Sequence, residues 1–258
     1  MTSGISKAII TAAGKGSRMK HMTSIMPKIL LPLFSSEESK RVTVPIADLI
    51  MKSLSAAGVS RFCFVVGKNK SILTDYMFGR DGTTFVFQND PKGFGDAVLK
   101  GKEFAGGDAA FVHADDGVLT GGYREAASLF IEKKADCVLL LRKTDNPRRY
   151  GIAEVGRQEE HMGYRVYEVK GVEEKPEKPK SEYMLSAVYL FKPKIFESIG
   201  KVNANGEVEL TDGIQKMIEG GSKVYGMLLE KEKWLNVGDT DSYYTALRYS
   251  YEHLSKQL

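Results

Sequence analysis

The sequence predicts an α/β fold, a mixed and mostly parallel sheet flanked by helices, with a small antiparallel addition in its second half. Three observations carry the prediction. Apolar runs alternate with segments of helical spacing through roughly the first 145 residues; those runs are apolar at successive positions; and after Tyr150 strand-like runs follow one another without helices between them. Neighbouring parallel strands need crossovers, and crossover helices cover both faces of a sheet, so its strands must be apolar on both sides.

Each element follows from its own stretch. Lys7 to Ala13 is an apolar run, Ile46 to Ala57 has helical spacing and Arg61 to Val66 is apolar again, which completes a βαβ unit. Ser71 to Phe78 reads as a helix, Thr84 to Gln88 as a strand, Asp96 to Phe104 as a helix and Ala109 to His113 as a strand. A helix from Tyr123 to Lys134 leads into the strongly apolar Cys137 to Leu141. The antiparallel part is expected from strands at Ile152 to Val155, Tyr164 to Lys170 and Met184 to Phe191. Helices return at Pro193 to Ser198, where proline suits a first turn, at Asp212 to Glu219 and at Asp241 to Leu254. Glu174 to Ser181 sets two prolines among charges and reads as a loop too short to link domains. The polar Ser35 to Arg41 reads as a surface loop or the edge of a lid.

A chain of 258 residues, 42% hydrophobic and 27% charged, has the composition of a soluble globular protein, and one domain over residues 1–258 is expected. Its 37 Lys and Arg are spread among 33 Asp and Glu rather than gathered in a basic arm, which argues against a nucleic-acid binder and leaves room for a basic cleft that takes small anions. Cys63 and Cys137 both lie in apolar runs and are expected as buried free thiols, which implies a reducing compartment. No apolar stretch is long enough to cross a bilayer, and the N-terminus lacks the basic region and long apolar core of a secretory signal, so a cytoplasmic protein without a membrane partner is expected.

The residues suited to chemistry start with Ala12-Ala13-Gly14-Lys15-Gly16-Ser17-Arg18, directly after the first strand. A strand that feeds a glycine-rich turn lets backbone N–H groups approach phosphate oxygens with no Cβ in the way, and Lys15 and Arg18 add positive charge there. The spacing is neither a P-loop nor a dinucleotide fingerprint, and an ordinary tight turn would look the same. Lys28, fixed by Pro27, offers a second point charge. Asp115 and Asp116 follow the strand Ala109 to His113, at the carboxyl end where open α/β sheets place their ligands, and a hard oxygen ligand there suits Mg²⁺. His113 has no second His or Cys at metal-ligand spacing and reads as a packing or supporting group.

These segments, taken in order, resemble the sugar-phosphate nucleotidyltransferase family, and within it the bacterial UTP:glucose-1-phosphate uridylyltransferases. The resemblance rests on the glycine-rich turn, Met26-Pro27-Lys28-Ile29-Leu30-Leu31-Pro32-Leu33, Gln88 to Leu99, Asp115-Asp116, Glu173-Glu174-Lys175-Pro176, Gly206 to Gly213 and Trp234 to Gly238, nearly the whole chain. It implies a Rossmann-like fold of the nucleotide-diphospho-sugar transferase type. The nucleotide part would span about residues 1–145, the sugar-phosphate part about 146–240 and a C-terminal helix about 241–258. By the same resemblance Gly14, Gly16 and their neighbours Ala13, Lys15 and Ser17 hold the triphosphate, with Arg18 on the leaving pyrophosphate and Lys28 on the phosphates in exchange. Gln88 reads the pyrimidine edge, Pro91 and Gly93 lie beside the base with Ala12, and Asp116 supports nucleotide or sugar contacts. Asp115 ligates the metal. Glu174 and Lys175 grip the sugar phosphate, and Tyr150, Gly151 and Ser186 lie on the sugar side.

Two departures stand out. Where relatives carry an Asp as second metal ligand this chain has Asn236, an oxygen donor without charge, and Asp239 is the nearest carboxylate that could stand in. Ser186-Ala187 replaces Gly or Asn-Ala-Gly near the sugar. The implied reaction is attack by a sugar 1-phosphate oxygen on the α-phosphorus of a nucleoside triphosphate, with Mg²⁺. UTP and glucose 1-phosphate are the expected substrates, dTTP is the alternative nucleotide, and a non-catalytic nucleotide-sugar-binding relative is the alternative of another class. A homodimer or homotetramer would be in keeping with the family.

Overall fold

The computed structural model describes residues 4–14, 16–38, 40–68, 71–200 and 206–253. Strand β1 (Lys7–Ala12) is buried along its whole length. It feeds a 3-10 turn (Ser17–Met19), helix α1 (Lys20–Ile25) and a second 3-10 turn (Lys28–Leu30). Strands β2 (Pro32–Glu37) and β3 (Lys40–Pro45) form a hairpin, after which α2 (Ile46–Ala56) returns the chain to β4 (Arg61–Gly67). The βα rhythm continues through α3 (Ser71–Met77), β5 (Thr83–Gln88), α4 (Phe94–Lys100), α5 (Lys102–Ala105) and β6 (Ala110–Ala114). Next come β7 (Gly117–Leu119), α6 (Tyr123–Glu132) and β8 (Cys137–Lys143). The second half holds β9 (Gly151–His161), β10 (Tyr164–Glu174), β11 (Tyr183–Phe191), α7 (Ile195–Ser198), α8 (Leu210–Glu219), β12 (Val224–Leu228), β13 (Trp234–Asn236) and α9 (Thr240–Glu252).

Nine strands form one sheet in the order β5-β4-β1-β6-β11-β8-β12-β10-β9. β1 pairs parallel with β4 and β6, β4 with β5, and β8 with β12, whereas β11 and β10 run against the common direction. The carboxyl ends of β1, β4, β6 and β8 therefore point the same way. Successive residues of the central strands face opposite sides, as strand geometry requires. Ile10, Phe111, Leu140 and Val188 pack toward α2 and α6, and Ile9, Val112, Leu139 and Tyr189 pack toward α4 and α8. Two fully buried layers explain why the sequence reads as continuous apolar runs. Cys63 and Cys137 lie in the second layer as free thiols, and burial pushes the Cys63 thiol up to about 12 and that of Cys137 well above its ordinary range.

The structure corrects several expectations. The antiparallel strands expected after Tyr150 are present, and the structure adds where they sit: β11 lies inside the sheet between β6 and β8, and β10 and β9 extend its edge. β9 and β10 run to His161 and Glu174, well past the alternating core that marks them in sequence. The Ser35 to Arg41 segment belongs to the β2–β3 hairpin, with Ser35 and Ser36 buried, because α9 covers it: Phe34 N–H donates to Ser250 Oγ at 3.1 Å, and the Phe34 and Tyr251 rings meet edge-on. The helix expected from Asp96 to Phe104 breaks at Gly101, where a Cβ would lie 2.5 Å from Ile9 Cδ1. The short strands β7, β12 and β13 carry too few residues to show a period. Leu254, the expected end of the last helix, lies outside the described residues. Among the described residues no helix is long and apolar enough to cross a membrane.

Candidate active site

The glycine-rich turn leaves β1 at its carboxyl end with Ala12 and Ala13 buried beneath it. Gly14 is exposed, and nothing lies within 4 Å of the position a Cβ would take, so its backbone is open to a ligand. Gly16 has φ +64°, and a Cβ there would come within 2.7 Å of the Thr23 side chain. Its carbonyl accepts from Thr23 Oγ1 at 2.7 Å and from Met19 N–H at 3.0 Å, which holds the turn from behind. Ser17 and Arg18 are exposed at the start of the following turn; Lys15 lies outside the described residues.

Arg18 reaches the other end of the chain. Its Nη2 lies 3.3 Å from where a Cβ on Gly238 would sit. Asp239 caps α9, its two oxygens accepting from Ser242 N–H and Ser242 Oγ at 3.0 Å each. Those hydrogen bonds, with Arg18 nearby, hold its carboxyl below the usual range.

Asn236 does sit beside the acidic pair. β13 pairs with β7 so that Asn236 faces Gly117, and Val237 N–H donates to the Asp116 carbonyl at 2.8 Å. Asn236 Oδ1 accepts from Gly238 N–H at 2.7 Å, and its amide nitrogen donates to Ser242 Oγ at 3.3 Å. Asp115 is 9% exposed, and Asp116 carries a buried carboxylate oxygen without a hydrogen-bond partner. Among the described residues no three His, Cys, Asp or Glu side chains gather as a metal cluster. One carboxylate and one amide oxygen fit an ion that draws its other ligands from phosphates and water, as Mg²⁺ does.

His113 is buried beneath the pair. Nδ1 lies 2.6 Å from the Ala114 carbonyl and Nε2 lies 2.8 Å from the Tyr123 hydroxyl. Burial holds its pKa down at about 4, so the ring is neutral, donating to Ala114 and accepting from Tyr123, and it serves packing. The Trp234 indole stacks on it at 5.7 Å, and Gly117 makes room, since a Cβ there would meet that indole at 2.5 Å.

Lys28 is buried in its 3-10 turn. Gln88, at the carboxyl end of β5, is 2% exposed; its amide nitrogen donates to Asp96 Oδ2 at 2.6 Å, with the Gly93 carbonyl at 3.4 Å. Pro91 is exposed on the same loop, and Gly93, at φ +104°, lies so close to Val208 that a Cβ would meet its carbonyl at 2.7 Å.

On the far side, Gly151 pairs with Glu174 across β9 and β10, and the Tyr150 carbonyl accepts from Lys175 N–H at 3.1 Å. Glu174 accepts from Thr211 Oγ1 at 2.9 Å and pairs with Lys175 Nζ at 3.3 Å. Burial alone would depress the Lys175 ammonium, but Glu174, Glu209 and Glu207 outweigh it and the net direction is up. Burial and the neighbouring Glu174 push Glu209 up to about 7. Glu174, Lys175, Glu207 and Glu209 line a cavity of about 670 Å³ that reaches Asp212, Gln215 and Lys216. Tyr189, buried in β11, joins the two sides: besides its burial, Glu174 and Asp116 both raise its phenol pKa. Ser186 is 2% exposed at a bulge in β11, next to Ala187 with φ +53°, and its hydroxyl accepts from Arg142 Nε at 3.2 Å.

Arg142, Glu207, Glu209 and Thr211 were not singled out by the sequence reading. Arg142 closes an apolar run and looks like the polar end of a strand; Glu207 and Glu209 sit in the matched Gly206 to Gly213 segment, where only their alternation hints at a shared face.

A family model described as Nucleotidyl transferase matches residues 7–252. A glucose-1-phosphate thymidylyltransferase of Streptomyces griseus is 28% identical over 241 residues, covering 90% of this chain but 62% of that relative. A Bacillus subtilis (strain 168) protein named "Putative UTP--glucose-1-phosphate uridylyltransferase" is 29% identical over 260 residues, covering 89% of this chain and 91% of its own. A solved structure of UDP-glucose pyrophosphorylase complexed with UDP-glucose superposes with a TM-score of 0.84 at 24% identity, covering 96% of this chain and 99% of the other, a likeness of fold. Because the family model spans the sheet from its first strand to its last helix, taking in the glycine-rich turn, the acidic pair and the Asn236 strand, this chain belongs to the Nucleotidyl transferase family.

Proposed function

We propose that the chain transfers a nucleotidyl group from a pyrimidine nucleoside triphosphate, UTP before dTTP, to a hexose 1-phosphate, glucose 1-phosphate first, releasing pyrophosphate. The observation that carries the proposal is the β7–β13 pairing. It sets Asn236 beside Asp115 and Asp116, and the Gly238 turn that follows packs against Arg18 at the glycine-rich turn. Cation, carboxylate and open backbone N–H groups thus share the carboxyl edge of the sheet, where anionic ligands settle in such folds.

The attacking phosphate oxygen is already ionised at neutral pH, and no protein nucleophile is needed. The protein has to bring two anions together, align them in line and steady the charge that moves onto the leaving pyrophosphate. The Gly14 to Gly16 backbone and Arg18 suit the triphosphate, and Lys28 adds a point charge on the same chain segment. Tyr150, Gly151, Glu174 and Lys175 suit the sugar phosphate. Asp115 and Asn236 would hold Mg²⁺, which when bound neutralises phosphate charge. Support for UTP and glucose comes from the named relatives, among which thymidylyl enzymes stand beside uridylyl ones.

A pyrophosphate-release assay over a panel of triphosphates crossed with sugar 1-phosphates, with and without Mg²⁺, tests the reading. Turnover is expected with UTP and glucose 1-phosphate, at a lower rate with dTTP. No turnover with any pair would sink the enzymatic reading and favour a nucleotide-sugar-binding protein, for which the uncharged Asn236 is the one specific motive.

A further inference from the structure

Gln88 closes β5 in the same row of the sheet as the glycine-rich turn. Ala12 pairs with Val66 and Gly67 with Gln88, so Ala13, Gly67 and Gln88 fall side by side across β1, β4 and β5, two strand spacings or about 10 Å. Gly67 puts no side chain between them, and a Cβ there would lie 2.9 Å from the Ala13 carbonyl. Gln88 is 2% exposed, and its amide nitrogen meets Asp96 Oδ2 at 2.6 Å and the Gly93 carbonyl at 3.4 Å. Two oxygens at 2.6 Å would repel, so only the nitrogen can face Asp96, and both of its hydrogens are engaged. The carboxylate is steadied in turn, with its other oxygen 3.6 Å from Lys100 Nζ one turn along α4. What remains is Gln88 Oε1, to which no group among the described residues donates.

A buried amide oxygen without a donor is unfavourable until a ligand supplies one. Ionised phosphates offer acceptors alone, so in a nucleoside triphosphate the hydrogen has to come from the ribose or the base. With the phosphates at the glycine-rich turn, the base is the end that reaches across the row to Gln88. Uracil and thymine carry N3–H at the middle of their pairing edge, where cytosine carries a bare nitrogen lone pair. An oxygen fixed toward that edge accepts from the first two and repels the third.

We propose that Asp96 sets the base specificity: it locks the Gln88 amide with its oxygen toward the base, so that the site takes a pyrimidine with N3–H and turns cytosine away. Asp96 acts through Gln88 and is a positioning residue. The assignment rests on the nucleotide binding proposed above, but its test reads ratios of affinity and needs neither acceptor nor turnover. UTP, dTTP and CTP are titrated by calorimetry into the wild type, Asp96→Asn, Asp96→Ala, Gln88→Met and the double variant Gln88→Met/Asp96→Ala. The wild type is expected to prefer UTP to CTP by about 10-fold or more, and Asp96→Ala, in which the amide is free to turn, to lose about 10-fold of that preference. Asp96→Asn keeps an acceptor but adds a donor, and should fall between. The UTP-to-dTTP ratio should stay within about twofold, since both bases carry N3–H, and in the Gln88→Met background Asp96→Ala should leave the UTP-to-CTP ratio where it was. A wild type that binds UTP and CTP alike overturns the proposal, as does one that binds no triphosphate. A UTP-to-CTP ratio that stays put in the Asp96 variants overturns it too, even if all three affinities fall together, because that marks Asp96 as structural; should Asp96→Ala not fold, Asp96→Asn decides. An Asp96-dependent ratio without turnover sinks the enzymatic reading alone, and turnover of UTP with an unmoved ratio sinks this one alone.

Discussion

Lys28 is 8% exposed, and among the described residues no carboxylate pairs with it. A buried ammonium without an anion stabilises nothing by itself, so its value lies in what it meets when substrates bind. Lys28→Met should lower kcat/KM about 100-fold or more while Tm stays level or rises; a loss of Tm with unchanged turnover would make Lys28 a structural residue. Asn236 poses the opposite case, a neutral oxygen donor whose Oδ1 already accepts from Gly238. Asn236→Asp keeps that acceptor and adds a charge beside Asp115, so the Mg²⁺ concentration for half-maximal pyrophosphate release should fall about 3- to 10-fold. An unchanged or higher requirement in a Mg²⁺ titration would remove residue 236 from the metal site. Glu209 carries a pH signature. Its folded pKa, up at about 7, lies above that of an ordinary glutamate, so the folded state holds its proton longer than the unfolded state does. The stability this proton provides is complete below the ordinary glutamate pKa and is lost as pH rises through about 7. Glu209→Gln should flatten that slope and stabilise the protein at pH 8 by about 1–2 kcal/mol, a figure kept low because the side chain is partly solvated. Denaturant melts at pH 5 and pH 8 read it directly, and parallel slopes in both proteins would dismiss it.

The loop from Lys92 to Gly95 is clamped to Val208 by two backbone hydrogen bonds, Val208 N–H to the Lys92 carbonyl at 2.6 Å and Gly95 N–H to the Val208 carbonyl at 2.8 Å. Gly93 permits this approach twice over, through its φ of +104° and its lack of a Cβ. Gly93→Ala should destabilise by about 1–3 kcal/mol and weaken UTP and glucose 1-phosphate binding together, since the clamp ties the loop after β5 to the segment that carries Glu209. Two titrations decide it: a loss for one ligand alone would mean that the loop serves only one side. At this scale the sequence was legible where burial dictates it. β1, β4, β6 and β8 are buried on both faces and read as unbroken apolar runs, and the helices between them keep their period. It was illegible where partners far along the chain decide the outcome. Ser35 and Ser36 read as solvent-facing until α9 covers the hairpin, and residue 101 has to be a glycine because Ile9 of β1 fills the space a side chain would need. The site shows the same division. The glycine-rich turn and the acidic pair stand as contiguous motifs, whereas Arg142, Ser186, Asp116 and Trp234 meet only once β6, β8, β11 and β13 are assembled.

The strand order joins the two sides of the site into one body. β11 follows β10 in sequence but inserts between β6 and β8, so the strand that carries Ser186 and Tyr189 hydrogen-bonds directly to the strand that leads into Asp115. β13 then crosses to β7, and α9 packs on β2, so the C-terminal segments close over the N-terminal ones. No edge separates a nucleotide half from an acceptor half, and neither could keep its buried layers without the other. The protein should therefore unfold as one unit, although chains of this length often show intermediates. Trp234, the sole tryptophan, is a built-in probe at the seam, stacked on His113 with Arg142 above it. Urea melts followed by its fluorescence and by far-UV circular dichroism should coincide, and saturating UTP should shift both midpoints together by the linkage relation. A fluorescence transition that precedes the dichroism change would show the β7–β13 seam opening on its own, and would divide the molecule where the sheet order says it is continuous.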